Sequence, residues 1–330
     1  KNALQAAGMK AHTPQPKEGL SLINGTQAMC SVGALSLIDA LRLARNANAV
    51  ACTTLEGRRA ITDAYHPIIH ELRRHPGQIL SAEMIRAHLK DSTLAAPSDQ
   101  SPKVQESYSL RCIPQVHGAS LDAFDYVGGV ISREINAVTD NPIVVSDEER
   151  LISGGNFHGQ PLALALDFGA IAASELANIS ERRLEQLLNP HLSGMNAFLA
   201  NDPGLESGLM AAQYVAGSLV NENKVLSHPP GTDSIPGNVN IEDHVSMGMT
   251  SARKFKLVVA NVAKVLACEL LAGTRAVELQ GLEDASTTTK AIVERVREDV
   301  PELTEDRPLS EDIESLAELL RSEELSLLGS

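Results

Sequence analysis

The chain has 330 residues, enough for one large domain or two ordinary ones, and 43% of them are hydrophobic, ample for a sizeable core. A formal net charge of −14 disfavours nucleic acid and anionic membrane surfaces as partners, because both recruit Lys and Arg. Only 3% of the residues are aromatic and Trp is absent, which argues for helices over a β-sandwich. No unbroken apolar run reaches the roughly 18 residues that span a bilayer. Residues 1–5 carry no signal-peptide pattern, so a cytoplasmic location is expected. Cys30, Cys52, Cys112 and Cys268 are scattered without a CxxC pair and read as reduced, mostly buried thiols.

From residue 17 to about 55, apolar residues such as Leu35, Ile38 and Leu41 recur at helical spacing, predicting one long helix interrupted near Asn24-Gly25. Neither flank of that Asn-Gly pair alternates as hairpin strands would, so the break reads as a helix entry. His66 and His70 stand at metal-ligand spacing, but Pro67 lies between them and no HExxH carboxylate accompanies them. A structural pair is expected there, and no metal. Residues 118–138 form an amphipathic helix closed by Thr139-Asp-Asn-Pro142. Val144-Val145 and Leu151-Ile152 flank an acidic turn and predict a short hairpin. Residues 161–189 are apolar nearly all round at first, the mark of a buried helix. Residues 205–226 and 245–279 repeat the pattern, separated by a Pro- and Gly-rich loop that ends at Asn240. An acidic tail follows Glu283, with Leu316, Leu319 and Leu320 on a last helix. The prediction is an all-α, long-helix bundle with at most one short β-hairpin. It is read as one helical domain over 1–330, with a core at 17–281 and an acidic helical tail at 282–330. Helices this long without internal caps point to a bundle shared between subunits.

Chemistry is suggested first by Tyr108-Ser-Leu-Arg-Cys-Ile-Pro-Gln-Val-His-Gly118. If the segment coils, Tyr108 and Arg111 share one face about a turn apart, a phenol and a guanidinium aimed into the same space. Such a fork binds a carboxylate through two parallel hydrogen bonds. An interfacial Tyr beside an Arg in a structural ion pair explains the same two residues equally well. Three polar breaks accompany them: Ile23-Asn-Gly-Thr-Gln27, Ile152-Ser-Gly-Gly-Asn-Phe-His158 and Asn240-Ile-Glu-Asp-His-Val-Ser246.

Together these stretches resemble the ammonia-lyases and aminomutases that act on histidine, phenylalanine and tyrosine, with the histidine-acting branch nearest. The resemblance runs from about Lys17 to Gly281. It takes in Asn136-Ala-Val-Thr-Asp-Asn-Pro142, Ile179-Ser-Glu-Arg-Arg183 and Asn221-Glu-Asn-Lys-Val-Leu-Ser-His-Pro229 in the family's order. It implies non-oxidative loss of ammonia, with L-histidine giving urocanate, through a 4-methylidene-imidazol-5-one electrophile. That group forms when an internal Ala-Ser-Gly cyclises and dehydrates, and the substrate amino group adds to it. No Ala-Ser-Gly occurs here; Ala119-Ser120 is followed by Leu121. The resemblance therefore implies a C-terminal portion that lacks both the electrophile and the family's proton-abstracting tyrosine, and that is inactive alone.

Carried over residue by residue, Asn24 matches the Asn that bonds the prosthetic group and the substrate carboxylate, although a helix-entry cap also explains it. Gln105 and Tyr108 match a Gln and a Tyr of the active centre, and Arg111 matches the carboxylate clamp. Phe157 matches an aromatic packed on the substrate, although Phe after Gly-Gly-Asn also anchors loops; Asn156 reads as structural. Glu242 matches the glutamate near the substrate side chain and amine, and with His244 it favours histidine. Ile241 departs from the family's usual Gln. Asp243 reads as a helix N-cap, Arg182 and Arg183 as intersubunit ion-pair residues, and Lys224 and His228 as structural. The implied assembly is a homotetramer with shared active sites, with a separate N-terminal piece as a further partner to consider. The runner-up is a tyrosine or phenylalanine ammonia-lyase or aminomutase on the same scaffold. Fumarase-like enzymes carry a Gly-Ser-Ser-x-Met-Pro loop, which is absent here. A non-enzyme alternative is a degenerate fragment that only assembles with a partner.

Overall fold

Apolar residues at three- and four-residue intervals, on an Ala- and Leu-rich background, coil most of this chain. The computed structural model describes residues 2–322 and 324–328. Its helices are α1 (Asn2–Ala6), α2 (Glu18–Ser21), α3 (Gln27–Gly57), α4 (Pro67–Arg73), α5 (Pro76–His88), α6 (Tyr108–Arg111) and α7 (Ile113–Ile135). After a two-stranded hairpin come α8 (Gln160–Leu188), α9 (Pro190–Ser193), α10 (Met210–Leu226), α11 (Gly248–Gln280), α12 (Thr287–Asp299) and α13 (Ser310–Ser322). The hairpin pairs β1 (Ile143–Val145) with β2 (Arg150–Ile152), antiparallel, with Val144 opposite Leu151. The all-α bundle with one short hairpin is therefore observed. Lys1, Glu323 and residues 329–330 of the predicted 1–330 span lie outside the described residues.

The long helices α3, α8 and α11 pack against one another; α7 covers α3 and α8, α5 lies on α7, and α10 and α13 lie on α11. Small side chains allow the close approach. A Cβ at Gly273 would stand 2.1 Å from Thr53 Oγ1, and one at Gly57 2.6 Å from the Ala276 Cβ, so α3 and α11 meet nearly backbone to backbone. That is how a chain with few aromatics fills its core.

A buried polar network ties five of these helices. Arg183 on α8 donates from Nε and Nη2 to the two oxygens of Glu269 on α11, at 2.6 and 2.8 Å, and both side chains are fully buried. Thr54 on α3 donates to Glu269 Oε1 at 2.8 Å. Arg183 Nη1 lies 3.3 Å from His117 Nε2 on α7, and His117 Nδ1 lies 3.0 Å from Asn48 Oδ1 on α3, which also accepts from Ser81 on α5. A guanidinium only donates, so Nε2 of His117 accepts and Nδ1 carries the hydrogen. Burial first, then the Arg183 charge, hold His117 well below the usual imidazole range and keep it neutral.

Several expectations need correction. Arg183 is spent on this intrachain network rather than on a partner, whereas Arg182 pairs with its neighbour Glu181 at the surface, where a partner copy can still reach it. Helix α7 starts at Ile113, five residues before the predicted Gly118, because Pro114 falls in its first turn, where no N–H is needed. It stops at Ile135, where Asn136 Nδ2 donates back to Ser132 O. Helix α12 falls within the predicted helical tail but was not singled out there; its N-cap Ser286 accepts from Thr289 N–H at 3.1 Å. By length and composition α3 and α8 could cross a membrane, although no unbroken apolar run predicts it; most of that stretch of α8 is buried in the bundle. Nor is α8 buried all round: Leu164, Phe168 and Ile171 remain exposed, as do Leu35 and Ile38 on α3. His70, expected to be structural, lies against Ala64 O and Gln78 through its two ring nitrogens, and His66 caps α4.

Candidate active site

The three polar breaks converge. Each sits just before one of the three longest helices, so the N-termini of α3, α8 and α11 meet around a cavity of about 630 Å³. Asn24, Phe157, Ile241, Glu242, Asp243 and His244 line it, together with Gly25, Asn141 and His158. Glycines permit the convergence: a Cβ at Gly159 or Gly248 would stand 2.4 or 2.6 Å from Met29 Sδ. Cap residues Thr26, Gly159 and Met247 contribute no side-chain hydrogen bond to their helices. In α11 the first N–H, that of Gly248, is taken by Ser246 Oγ at 3.3 Å, and the three positive dipole ends surround a space suited to a carboxylate or a developing anion.

Each wall is held from behind. Gly25, at φ 143°, turns the chain into α3, and the Asn24 amide makes no hydrogen bond among the described residues, so it is not a cap. Gly154 N–H donates to Asn141 Oδ1 at 2.8 Å and Asn156 Nδ2 to Val138 O at 3.2 Å, which fixes the loop that exposes Phe157 to the cavity. Asn156 is thus bonded to backbone as expected, while Phe157, 43% exposed, is no buried loop anchor. Glu242 is gripped through its backbone: Gly237 N–H donates to Glu242 O at 2.7 Å, closing a turn in which Asn238, Val239 and Asn240 all have positive φ. For the β-branched Val239 that conformation is strained. Asp243 lies on the cavity wall four residues before Met247, the true cap position of α11, and so caps nothing.

A second cluster holds the remaining predicted residues. Arg111 Nη1 donates to Gln105 Oε1 at 2.9 Å, and the guanidinium lies 4.7 Å over the Tyr108 ring. Tyr65, buried, donates to Leu110 O, and Glu106 accepts from Ile61 N–H at 3.2 Å and pairs with Lys103, so both flanks of the cluster are anchored. Arg111 Nε is buried with no partner. Gln105 occupies Nη1 alone, which leaves the Nε and Nη2 edge of the fork without an acceptor among the described residues.

The two clusters do not meet within one chain. Arg111 stands at the N-terminal end of α7, whereas the cavity lies beyond its C-terminal end, where Glu134 and Ile135 adjoin Thr26 and Gln27. Twenty-odd residues of helix separate them, about 30 Å. Sequence reasoning also left His158 without a role, although it directly follows Phe157. Its ring stacks on His244, with centroids 5.3 Å apart.

The family model of the aromatic amino acid lyases matches residues 1–298. The chain is 51% identical over 323 residues to a histidine ammonia-lyase of Symbiobacterium thermophilum, covering 98% of this chain and 64% of that protein. Among solved structures it superposes on histidine ammonia-lyase from Trypanosoma cruzi with a TM-score of 0.90 at 42% identity, covering 98% of this chain and 61% of the other. On tyrosine aminomutase from Streptomyces globisporus the TM-score is 0.93 at 38% identity, covering 98% and 65%. The chain thus spans just under two thirds of the length of these relatives. A helical bundle of this topology, matched along nearly its whole length, makes the chain a member of the aromatic amino acid lyase family.

Proposed function

We propose that the protein eliminates ammonia from L-histidine to give urocanate, as a histidine ammonia-lyase. The observation that carries the reading is Glu242, a carboxylate on the same cavity wall as Asn24 and Phe157, where the N-termini of three long helices meet. Four curated relatives, 48–52% identical to this chain, are all histidine ammonia-lyases, which supports the same choice.

The residues present fit the family's methylidene-imidazolone: the Asn24 amide, which makes no hydrogen bond among the described residues, lines a cavity with room for it at three helix N-termini. When bound, that group supplies the electrophile that turns the amino group into a leaving group. The 330 residues contain no Ala-Ser-Gly, so this chain alone is proposed to be inactive. Arg111 clamps the substrate carboxylate through Nε and Nη2, and Gln105 holds the guanidinium. Tyr108, exposed beside it, offers a phenol that donates or accepts a proton at the reacting centre. Asn24 donates its amide to the electrophile, Phe157 packs on the flat ring, and Glu242 takes an imidazole N–H or the ammonium group.

Since an amino acid is under about 10 Å long, it cannot touch Arg111 and Glu242 of one chain. We infer that each site combines the two clusters from different copies in a homotetramer. The exposed apolar faces of α3 and α8 support such an assembly. Four unpaired cysteines and the acidic charge support a cytoplasmic enzyme.

The second reading is a tyrosine- or phenylalanine-acting lyase or aminomutase, favoured by the superposition on tyrosine aminomutase. Ultraviolet absorbance of the complete gene product with L-histidine, L-phenylalanine and L-tyrosine in separate cuvettes decides. A urocanate band with histidine alone supports the first reading. Cinnamate or coumarate overturns it.

A further inference from the structure

His158 Nε2 lies 3.2 Å from His244 Nδ1 and also 3.2 Å from His244 O. A carbonyl only accepts, so Nε2 of His158 must carry a hydrogen, and the Nδ1 that shares it must present a lone pair. A neutral imidazole with its lone pair on Nδ1 carries its own hydrogen on Nε2. The geometry therefore dictates the tautomer of His244, and the stacked rings, inclined by 23°, hold that arrangement. No hydrogen bond among the described residues engages His244 Nε2, and the residue is exposed on the cavity wall two positions from Glu242.

A carboxylate and an N–H donor side by side form a matched pair for one kind of ring. Neutral imidazole offers one N–H and one lone pair; a phenyl ring offers neither, and a phenol only a single hydroxyl. We propose that His244 donates from Nε2 to the ring nitrogen of an imidazole substrate while Glu242 accepts its N–H, and that His158 is the positioning residue that fixes His244 for this task. The proposal rests on the histidine reading above and adds to it the device that reads the ring.

The test uses the complete enzyme with His158→Leu, His158→Gln and His244→Phe, and the double variant of His158→Leu with His244→Phe. The readouts are KM and kcat for L-histidine and the inhibition constants of urocanate and of cinnamate, which lacks the ring nitrogens. His158→Leu and His244→Phe should raise the KM for histidine and the inhibition constant of urocanate by about tenfold, as expected for an unpaired buried acceptor, with cinnamate changed less than about twofold. His158→Gln keeps an N–H donor and should stay close to the parent. The double variant should be no worse than His244→Phe, because one residue acts through the other. Equal weakening of urocanate and cinnamate would mean that the pair only ties two loops together, and unchanged constants would mean that it reads nothing; either overturns the proposal while the parent still makes urocanate. A parent enzyme that produces cinnamate or coumarate and no urocanate overturns the histidine reading first, and the proposal with it.

Discussion

The Arg111 fork shows how a single side chain is prepared in advance. Its Nη1 is taken by Gln105, its face rests on Tyr108, and its Nε is buried with no partner. A buried donor without an acceptor is unfavourable until a carboxylate arrives, so binding gains from removing that penalty. Lys in place of Arg111 keeps the charge but cannot present two coplanar N–H groups. Arg111→Lys should therefore raise the KM for the amino acid about ten- to a hundredfold through loss of one charge-assisted hydrogen bond. Steady-state kinetics on the complete enzyme checks this, and an unchanged KM would remove Arg111 from the clamp role. At this scale the sequence was readable where a residue breaks local expectation. Asn24, Phe157 and Glu242 lie in polar breaks, the first two marked by Gly, and all three line one cavity. Asp243 was misread as a cap because an acid before a helix usually is one, whereas here α11 waits until Gly248, which packs closely on Met29. Arg183 was misread because its partner Glu269 lies 86 positions away, beyond any spacing argument.

Between helices, the Arg183–Glu269 pair and its neighbours decide register as well as stability. Glu269→Gln would leave the Arg183 guanidinium buried beside a neutral amide, and unfolding should become about 3–5 kcal/mol easier. Replacing both by apolar residues of similar volume, Arg183→Met with Glu269→Leu, should recover much of that loss; urea midpoints of the three proteins compare them directly. A second tie joins α5 to α12, where His88 Nε2 lies 3.0 Å from Thr289 Oγ1. Burial pushes the His88 imidazole down from 6.5 to about 4. The unfolded chain then binds a proton that the folded chain refuses, so stability is full above pH 6.5 and is lost as pH falls towards 4. Between pH 6.5 and about pH 5 the loss through this one group should be about 2 kcal/mol. His88→Gln should flatten the denaturation profile by that amount across the same window; an unaltered slope would show that His88 ionises freely when folded. Helix α5 went unread, but the long helices α3, α7, α8, α10 and α11 were legible from periodicity, to within a few residues at most ends. Helix α12 was not, because its short apolar stripe of Ile292, Val293 and Val296 sits among charged residues, and only Ser286 marked its start.

For the molecule as a whole, the two clusters lie at opposite ends of α7, and apolar side chains cover the outer faces of the long helices. Leu35 and Ile38 on α3, and Leu164, Phe168 and Ile171 on α8, are 43–65% exposed. Periodicity alone marked Leu164, Phe168 and Ile171 as part of a buried helix, since a residue facing another copy carries the same apolar signal as one facing its own. If the copies interlock so that one brings Asn24, Phe157 and Glu242 while another brings Tyr108 and Arg111, damage to the two clusters should complement. Asn24→Ala and Arg111→Ala, each made in the complete enzyme, should each be inactive alone. Co-expressed and randomly mixed, they should place an intact Asn24 wall against an intact Arg111 in about a quarter of the sites, because each copy contributes independently to a closed symmetric assembly. Activity should therefore return to about a quarter of the parent value, and light scattering should give the same mass for the parent and the mixture. Phe168→Glu, which places a charge on the outer face of α8, should abolish both the assembly and the recovery. If all five residues served one site within one chain, mixing would restore nothing, since every copy would carry one lesion. The return of activity from two inactive parents would then require that the distance of about 30 Å along α7 is closed only between copies.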